Sequence, residues 1–204
     1  MAYDPKSHWQ SVYITKSDQE LSWTQANVHT SLSLIAKAAP AHGRVIDVGG
    51  GSSVLAGRLL DLGYAVTVLD VSAAALARAA GKLGAQAARI CWIDADVTDA
   101  PADLGQFDLW HDRAVFQFLT EPSDRAAYRA LLERTIPAGG HAIIATFAPD
   151  GPAKCSGLDV RRYDSTLLAA QIGSGFELRQ SVAETHLTPW SKPQSFQYSL
   201  FRRV

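Results

Sequence analysis

Residues 45–53 read Val45-Ile46-Asp47-Val48-Gly49-Gly50-Gly51-Ser52-Ser53. The first part of this stretch is β-branched and apolar apart from Asp47, which is typical of a buried parallel strand. The three glycines end the strand, and a helical pattern follows. Without a Cβ to cover them, the backbone N–H groups of such a turn are open to a ligand. The stretch predicts a strand, a tight turn and a helix; a turn that binds nothing is the alternative.

The composition is that of an ordinary globular protein. The 204 residues are 47% hydrophobic and 19% charged, with a net charge of −1, so no basic field favours nucleic acid or anionic lipid. No apolar run approaches the roughly 18 residues of a membrane span, and the polar first 20 residues do not resemble a secretion signal. Two cysteines are too few for a disulfide framework or a metal site. We expect a cytoplasmic protein without metal, membrane or nucleic acid partners. The sequence does not indicate an oligomeric state.

Predicted strands and helices alternate up to residue 147. The strands are predicted at residues 44–48, 65–69, 89–93, 107–110, 141–147, 176–185 and 195–202. The helices are predicted at residues 26–39, 53–61, 73–83, 124–136 and 165–172. This alternation indicates an α/β fold with right-handed βαβ units and a parallel sheet. The last two strands have no helix between them, so we expect them to pair antiparallel at one end of the sheet.

The residues around the glycine turn argue against a dinucleotide ligand. A dinucleotide-binding turn has the spacing G-x-G-x-x-G, and Gly49 and Gly51 match its first two positions. Val54 stands where the third glycine is required. Asp47, two residues before the first glycine, suits a cationic ligand group better than a pyrophosphate.

Acidic residues at two further strand ends complete the ligand prediction. Asp70 ends the second strand, where a carboxylate can accept both ribose hydroxyls. Asp96 follows the third strand and can accept from an exocyclic amine. Val71 and Val97 are placed to enclose a purine between them. Groups for an amino-acid moiety, a ribose and an adenine occur in that order, and this set matches S-adenosylmethionine.

These motifs resemble those of the class I S-adenosylmethionine-dependent methyltransferases. The D-x-G-x-G pattern that begins at Asp47 is similar to the family's first motif, Asp70 to its ribose-binding acid, and Asp96-Val97 to its adenine-contacting pair. The resemblance covers nearly the whole chain. It implies a Rossmann-like methyltransferase fold, with seven strands in a mostly parallel sheet of order 3-2-1-4-5-7-6 and an antiparallel last strand.

Two other segments resemble one branch of that family, the thiopurine methyltransferase-like enzymes. Residues 107–113 are similar to the segment after strand four in these enzymes, where a Trp-Asp-Arg triplet occurs, although His111 is an extra residue here. The aromatic residues Trp9, Tyr13 and Trp23 resemble the segment that closes over the cofactor, both in these enzymes and in protein-lysine methyltransferases.

The resemblance also implies a domain plan and a cofactor site. One methyltransferase domain is expected over residues 1–204, with a cofactor-covering segment and helix in 1–40 and the Rossmann-like core in 44–204. The implied cofactor-binding residues surround the turn and the strand ends: Trp23, Asp47, Gly49, Gly50, Gly51, Asp70, Val71, Asp96, Val97 and His111.

Catalytic candidates come from the segment after the fourth strand. Methyl transfer from a sulfonium is an in-line displacement, so the enzyme chiefly aligns donor and acceptor and excludes water. His111 is the candidate general base, with hydrogen bonding or cofactor lining as the alternative. Asp112 and Arg113 complete the predicted catalytic set. They either fix the local geometry or contact substrate, and Arg113 can hold a substrate carboxylate with its planar fork.

The predicted substrate contacts come from the first segment and the later loops. They are Trp9, Tyr13, Cys155 and Tyr163, for each of which simple core packing is the alternative. Together these features predict methyl transfer from S-adenosylmethionine to a nitrogen, oxygen or sulfur nucleophile of a small molecule, with S-adenosylhomocysteine as product. A protein-lysine N-methyltransferase and a non-catalytic S-adenosylmethionine-binding regulatory protein are the alternatives; a NAD-dependent reductase fits least.

Overall fold

Residues 4–204, which a computed structural model describes, are organised around one large sheet. The strands are β1 (Arg44–Val48), β2 (Ala65–Asp70), β3 (Cys91–Asp94), β4 (Leu109–Arg113), β5 (His141–Phe147), β6 (Lys154–Cys155), β7 (Leu158–Asp159), β8 (Phe176–Leu187) and β9 (Pro193–Arg203). Seven of them form the large sheet in the order β3-β2-β1-β4-β5-β9-β8. β1 to β5 are parallel, and β9 is antiparallel to β5 and to β8. Since β6 and β7 form a separate hairpin, the predicted order 3-2-1-4-5-7-6 is confirmed.

Helices connect the strands and cover both faces of the sheet. They are α1 (Pro5–Thr15), α2 (His29–Ala38), α3 (Leu55–Asp61), α4 (Ala73–Leu83), α5 (Pro122–Thr135) and α6 (Ser165–Ile172). Helix α4 begins where its capping residue predicts, because the Ser72 hydroxyl accepts a hydrogen bond from the Ala75 N–H. No helix within residues 4–204 is long and apolar enough to cross a membrane.

Alternating side chains of the strands build two apolar clusters, one on each face. Leu109 of β4 packs with helices α2 and α3 in the first cluster. Trp110, the next residue, packs with α5 and α6 in the second. Successive side chains of a strand point to opposite faces of the sheet. The position of a residue in the strand therefore decides which of the two clusters it joins.

This alternation corrects one prediction about the fourth strand. The sequence pattern predicted a strand over residues 107–110 followed by a loop, but β4 spans Leu109–Arg113. His111 and Arg113 therefore lie on the face of Leu109, and Asp112 lies on the face of Trp110. The three charged or polar residues predicted to act together are divided between the two faces.

The first segment, residues 5–23, packs on the domain. In helix α1, the Gln10 side chain accepts hydrogen bonds from the Ser72 hydroxyl and the Ala74 N–H, both at 3.1 Å. Arg78 of α4 donates to the backbone of this segment and forms an ion pair of 3.0 Å with Asp18. These contacts hold the segment over the carboxyl ends of β1 and β2.

Candidate functional site

The glycine turn has a backbone that only glycine adopts without strain. Gly49 and Gly51 have φ angles of 63° and 55°, in the left-handed region. A Cβ at Gly49 would overlap the side chain of Val115, and one at Gly51 would overlap the Tyr13 hydroxyl. The turn is therefore closely covered on both sides, which explains why the sequence needs glycine there.

Asp70, at the end of β2, faces this turn. Its carboxylate accepts hydrogen bonds of 2.8 Å from the backbone N–H groups of Gly51 and Ser72. Only 6% of the residue is exposed. Burial raises the pKa of the Asp70 carboxyl to about 6, although the two N–H donors act in the opposite direction. Each carboxylate oxygen keeps a lone pair for another donor.

A large cavity of about 640 Å³ opens beyond the strand ends, within the size range of small-molecule sites. Most of the predicted residues line it: Trp9, Tyr13, Trp23, Gly49, Asp70, Val71, Asp96, Val97, Arg113 and Cys155. Asp96 accepts two hydrogen bonds from Thr98 on one oxygen, Oδ1. The cavity thus brings together the residues predicted to bind a ribose and a purine.

A small cavity of about 280 Å³ lies against the glycine turn. Asp47, Gly50 and His111, three of the predicted cofactor-binding residues, line it. Tyr13 and Trp23 line both cavities, and the Trp23 indole N–H donates to the Tyr13 hydroxyl at 3.2 Å. This aromatic pair from the first segment therefore lies between the two cavities.

His111 is held by two buried side chains. Its Nδ1 lies 2.7 Å from Asp47 Oδ1, and its Nε2 lies 2.9 Å from Ser31 Oγ. With Nδ1–H donating to the carboxylate, Nε2 accepts from the serine hydroxyl. Because both ring nitrogens have protein partners, the geometry favours the alternative role, in which His111 orients Asp47 and lines the cavity.

Asp112 is completely buried on the other face of the sheet. It accepts hydrogen bonds from the N–H groups of Val115 and Phe116 and from the Tyr128 hydroxyl. Burial raises the pKa of the Asp112 carboxyl to about 6. It lines neither cavity, so the prediction of a catalytic role is corrected to one of fixing the turn after β4.

Tyr163 and Cys155, two predicted substrate residues, differ in position. Tyr163 packs against Phe116, with ring centroids 5.5 Å apart, accepts from Arg161 and lines neither cavity. The position of Tyr163 therefore contradicts its predicted role as a substrate contact. Cys155 does line the large cavity, but burial raises the pKa of its thiol to about 11, so it is neutral at pH 7.

Several residues of the large cavity escaped the sequence analysis. They are Gln117, Phe118, Phe147 and Phe196. Gln117 stands between two phenylalanines in an otherwise apolar run, and a polar residue in such a run was the available signal. The phenylalanines carry no comparable signal, because their pattern is that of ordinary core residues. No group of three or more His, Cys, Asp and Glu side chains within residues 4–204 is arranged to hold a metal ion.

Comparison with known proteins identifies the class of fold. Residues 45–140 match the family model described as a methyltransferase domain. A search of curated proteins found no match. Among solved structures, an S-adenosylmethionine-dependent methyltransferase from Anabaena variabilis superposes with a TM-score of 0.79 at 13% identity, covering 100% of this chain and 96% of that one. The fold is therefore the Rossmann-like fold of these methyltransferases.

Two further structures are similar over almost the same length. One, from work on conversion of a disulfide bond into a thioacetal group during echinomycin biosynthesis, is 22% identical with a TM-score of 0.77, covering 97% of this chain and 92% of that one. The other is the Burkholderia thailandensis 1,6-didemethyltoxoflavin-N1-methyltransferase with bound 1,6-didemethyltoxoflavin and S-adenosylhomocysteine. It is 17% identical with a TM-score of 0.70, covering 100% of this chain and 92% of that one. At these identities, the likeness extends to the fold alone.

Proposed function

We propose that this protein transfers a methyl group from S-adenosylmethionine to a nitrogen, oxygen or sulfur nucleophile of a small molecule. One observation carries the proposal. Asp47, Asp70 and Asp96 lie at or just after the ends of three adjacent parallel strands, and each borders one of the two cavities beside the glycine turn. The methyltransferase-domain match, which includes all three acids, supports it.

The chemistry of the two cavities fits the cofactor. In the small cavity, Asp47 suits the ammonium of an amino-acid moiety by its charge. The N–H groups of Gly49 and Gly51 already donate to Leu69 and Asp70, so Gly50 is the glycine of the turn whose N–H suits the carboxylate. Asp70 and Asp96 in the large cavity suit ribose hydroxyls and an adenine amine, with Val71 as an apolar wall. S-adenosylmethionine supplies an activated methyl group on its sulfonium sulfur. The residues of the chain then have to hold the acceptor and keep water out.

The first segment supplies the cover that excludes water. Trp9, Tyr13 and Trp23 line the large cavity and contact one another, with the Trp9 and Trp23 ring centroids 5.6 Å apart. Burial raises the pKa of the Tyr13 hydroxyl, and burial also keeps the Cys155 thiol protonated. Neither group is therefore a proton acceptor at neutral pH. An acceptor that arrives with a free lone pair needs no general base.

A small acceptor agrees with this enclosure better than a lysine on a folded protein does. The related structures include one with bound 1,6-didemethyltoxoflavin and one from echinomycin biosynthesis, both small-molecule systems by their descriptions. A thiopurine methyltransferase-like assignment remains part of the proposal. It is supported by the Trp-Asp-Arg residues of β4, where Trp110 donates to the Tyr128 hydroxyl of α5 and that hydroxyl donates to Asp112, both at 2.8 Å.

Calorimetry with S-adenosylhomocysteine tests the cofactor assignment. The wild-type protein is expected to bind, and Asp70→Ala is expected to weaken binding about 10- to 100-fold, because hydrogen bonds to a charged group are lost. Asp99→Ala removes an exposed carboxylate that lines neither cavity and serves as the matched control. Absence of wild-type binding at millimolar ligand, or equal losses in both variants, would contradict the proposal.

A further inference from the structure

The large cavity contains a buried amide donor without an acceptor. Gln117 is fully buried and lines the cavity. Its Oε1 accepts a hydrogen bond of 2.8 Å from the Phe147 N–H, which assigns the amide orientation. Its Nε2 has no hydrogen-bond partner within residues 4–204. A buried donor left unpaired is unfavourable, so such groups generally call for an explanation.

Arg113 presents a second unpaired donor in the same cavity. Its Nε donates to the Tyr198 hydroxyl and its Nη1 to the Trp23 carbonyl, at 3.0 and 3.1 Å. Its Nη2 is buried and has no partner among the described residues. Both partners that it does have are neutral. Across residues 4–204, no carboxylate forms a direct ion pair with Arg113. Glu184 reaches it only through the Tyr198 hydroxyl, which donates to Glu184 at 3.4 Å, so the outer nitrogen of Arg113 still has no anionic partner.

The acidic residues of the cavity lie elsewhere. Asp70 and Asp96 follow β2 and β3, on one side of β1, and Glu121 and Asp124 lie at the start of α5. Arg113 ends β4, on the other side of β1. The strand order therefore places Arg113 across β1 from Asp70 and Asp96, the two acids assigned to the nucleoside.

Aromatic side chains line the same cavity. The Phe147 and Phe196 ring centroids are 4.7 Å apart, and the Arg113 guanidinium lies 4.4 Å from the centroid of the Phe196 ring. Trp9 lies against Phe118, with ring centroids 5.0 Å apart. All four rings line the cavity. Such walls favour a planar aromatic ligand, because ring faces and edges pack well against one another.

We propose that the methyl acceptor is a planar aromatic carboxylate, whose carboxylate is held by Arg113 and Gln117. A carboxylate has two acceptor oxygens, and the unpaired Nη2 of Arg113 and Nε2 of Gln117, two residues that line this cavity, are complementary donors. The inference rests on the proposed function only in calling the ligand a methyl acceptor. The carboxylate anchors the molecule, and the anchoring is independent of which atom receives the methyl group.

Two probes of equal size test the anchor directly. Calorimetry on the protein, with and without saturating S-adenosylhomocysteine, measures binding of 2-naphthoate and of its neutral amide, 2-naphthamide. The wild type is expected to bind 2-naphthoate at least about tenfold more tightly, since hydrogen bonds to charged groups are the stronger ones. Equal affinities, or no binding of 2-naphthoate at millimolar concentration, overturn the proposal.

Variants test whether Arg113 and Gln117 cause the preference for 2-naphthoate over 2-naphthamide. Gln117→Glu keeps the oxygen that accepts from Phe147 but replaces the free donor by a carboxylate oxygen, and it is expected to abolish the preference. Arg113→Gln is expected to do the same. Gln171→Glu and Arg179→Gln make the same exchanges away from both cavities and should retain the preference. Retention in Gln117→Glu and Arg113→Gln variants that still melt cooperatively overturns the proposal.

The outcomes also separate this inference from the proposed function. Failure of the wild type to bind S-adenosylhomocysteine refutes the cofactor assignment, and the carboxylate preference is still measured on the protein alone. Normal cofactor binding with equal affinity for the two probes refutes the anchor and leaves the cofactor assignment intact. Should Arg113→Gln fail to fold, Gln117→Glu alone decides, because that variant keeps the buried hydrogen bond to Phe147.

Discussion

The protonation of Asp70 provides a direct test of how the cofactor is held. The carboxylate is buried between two backbone N–H groups, and burial raises its pKa to about 6. If ribose hydroxyls donate to this group, the charged form binds and the protonated form binds poorly, because a neutral carboxyl is a weaker acceptor. Affinity for S-adenosylhomocysteine should therefore fall as the pH drops through 6.

The size of the effect follows from the titration of Asp70. With a pKa of about 6, the carboxyl is about 90% charged at pH 7 and about 10% charged at pH 5. The dissociation constant is thus expected to rise about tenfold between these two pH values. The pKa of Asp70 in the folded protein exceeds its ordinary value of 3.8. The stability gained by protonating Asp70 is therefore fully present below pH 3.8 and is lost as the pH rises through about 6. Acidification through this range therefore does not destabilise the fold at Asp70.

Calorimetry at pH 5, 6, 7 and 8, with thermal melting at each pH, measures this dependence. Asp70→Asn is neutral throughout and is expected to bind weakly with the same affinity at every pH. A wild-type affinity that stays constant from pH 5 to pH 8 would show that the charge of Asp70 does not contribute to holding the cofactor. So would an equal pH dependence in Asp70→Asn, since another group would then be responsible.

Other predictions concern the turns and the thiols. Asp112→Ala should lower the free energy of unfolding in urea by about 2–4 kcal/mol, because three buried donors lose their acceptor; an unchanged midpoint would contradict this role. Gly49→Ala should abolish S-adenosylhomocysteine binding, since the added methyl group overlaps Val115; wild-type affinity would refute the assignment of the turn. Iodoacetamide at pH 7 should modify the exposed Cys91 and spare Cys155 until the protein is denatured, as read by peptide mass spectrometry. Equal labelling of the folded protein would show that Cys155 is accessible.

The sequence predicts the strands and helices best where the local pattern and the tertiary structure agree. β1 and β5 have the predicted bounds, as does α4, whose capping serine marks its start. Helix α1 was not predicted, although Asp4 caps it and Pro5 occupies its first turn, a recognisable start signal. The aromatic residues scattered through that segment obscured the helical period.

The fourth strand shows why the site was only partly predictable. Charged residues usually mark a strand end, so the pattern favoured a loop at residues 111–113. His111 and Asp112 lie inside β4 because Asp47, Ser31 and Tyr128, all distant in sequence, satisfy them. Such partners leave no local signal. The same holds for Gln117, which becomes notable only when its burial and its unpaired amide are known.

Methyl transfer to a small molecule is the activity proposed for this protein. The measurement is an incubation of the wild-type protein with S-adenosylmethionine labelled in its methyl group, together with a cell extract separated into small-molecule and protein fractions. We expect formation of S-adenosylhomocysteine and label in one or more small molecules, both strongly reduced in Asp70→Ala at the same cofactor concentration. Label confined to the protein fraction would favour a protein-lysine methyltransferase. Tight cofactor binding without transfer to either fraction would contradict catalysis and favour a regulatory, cofactor-binding protein.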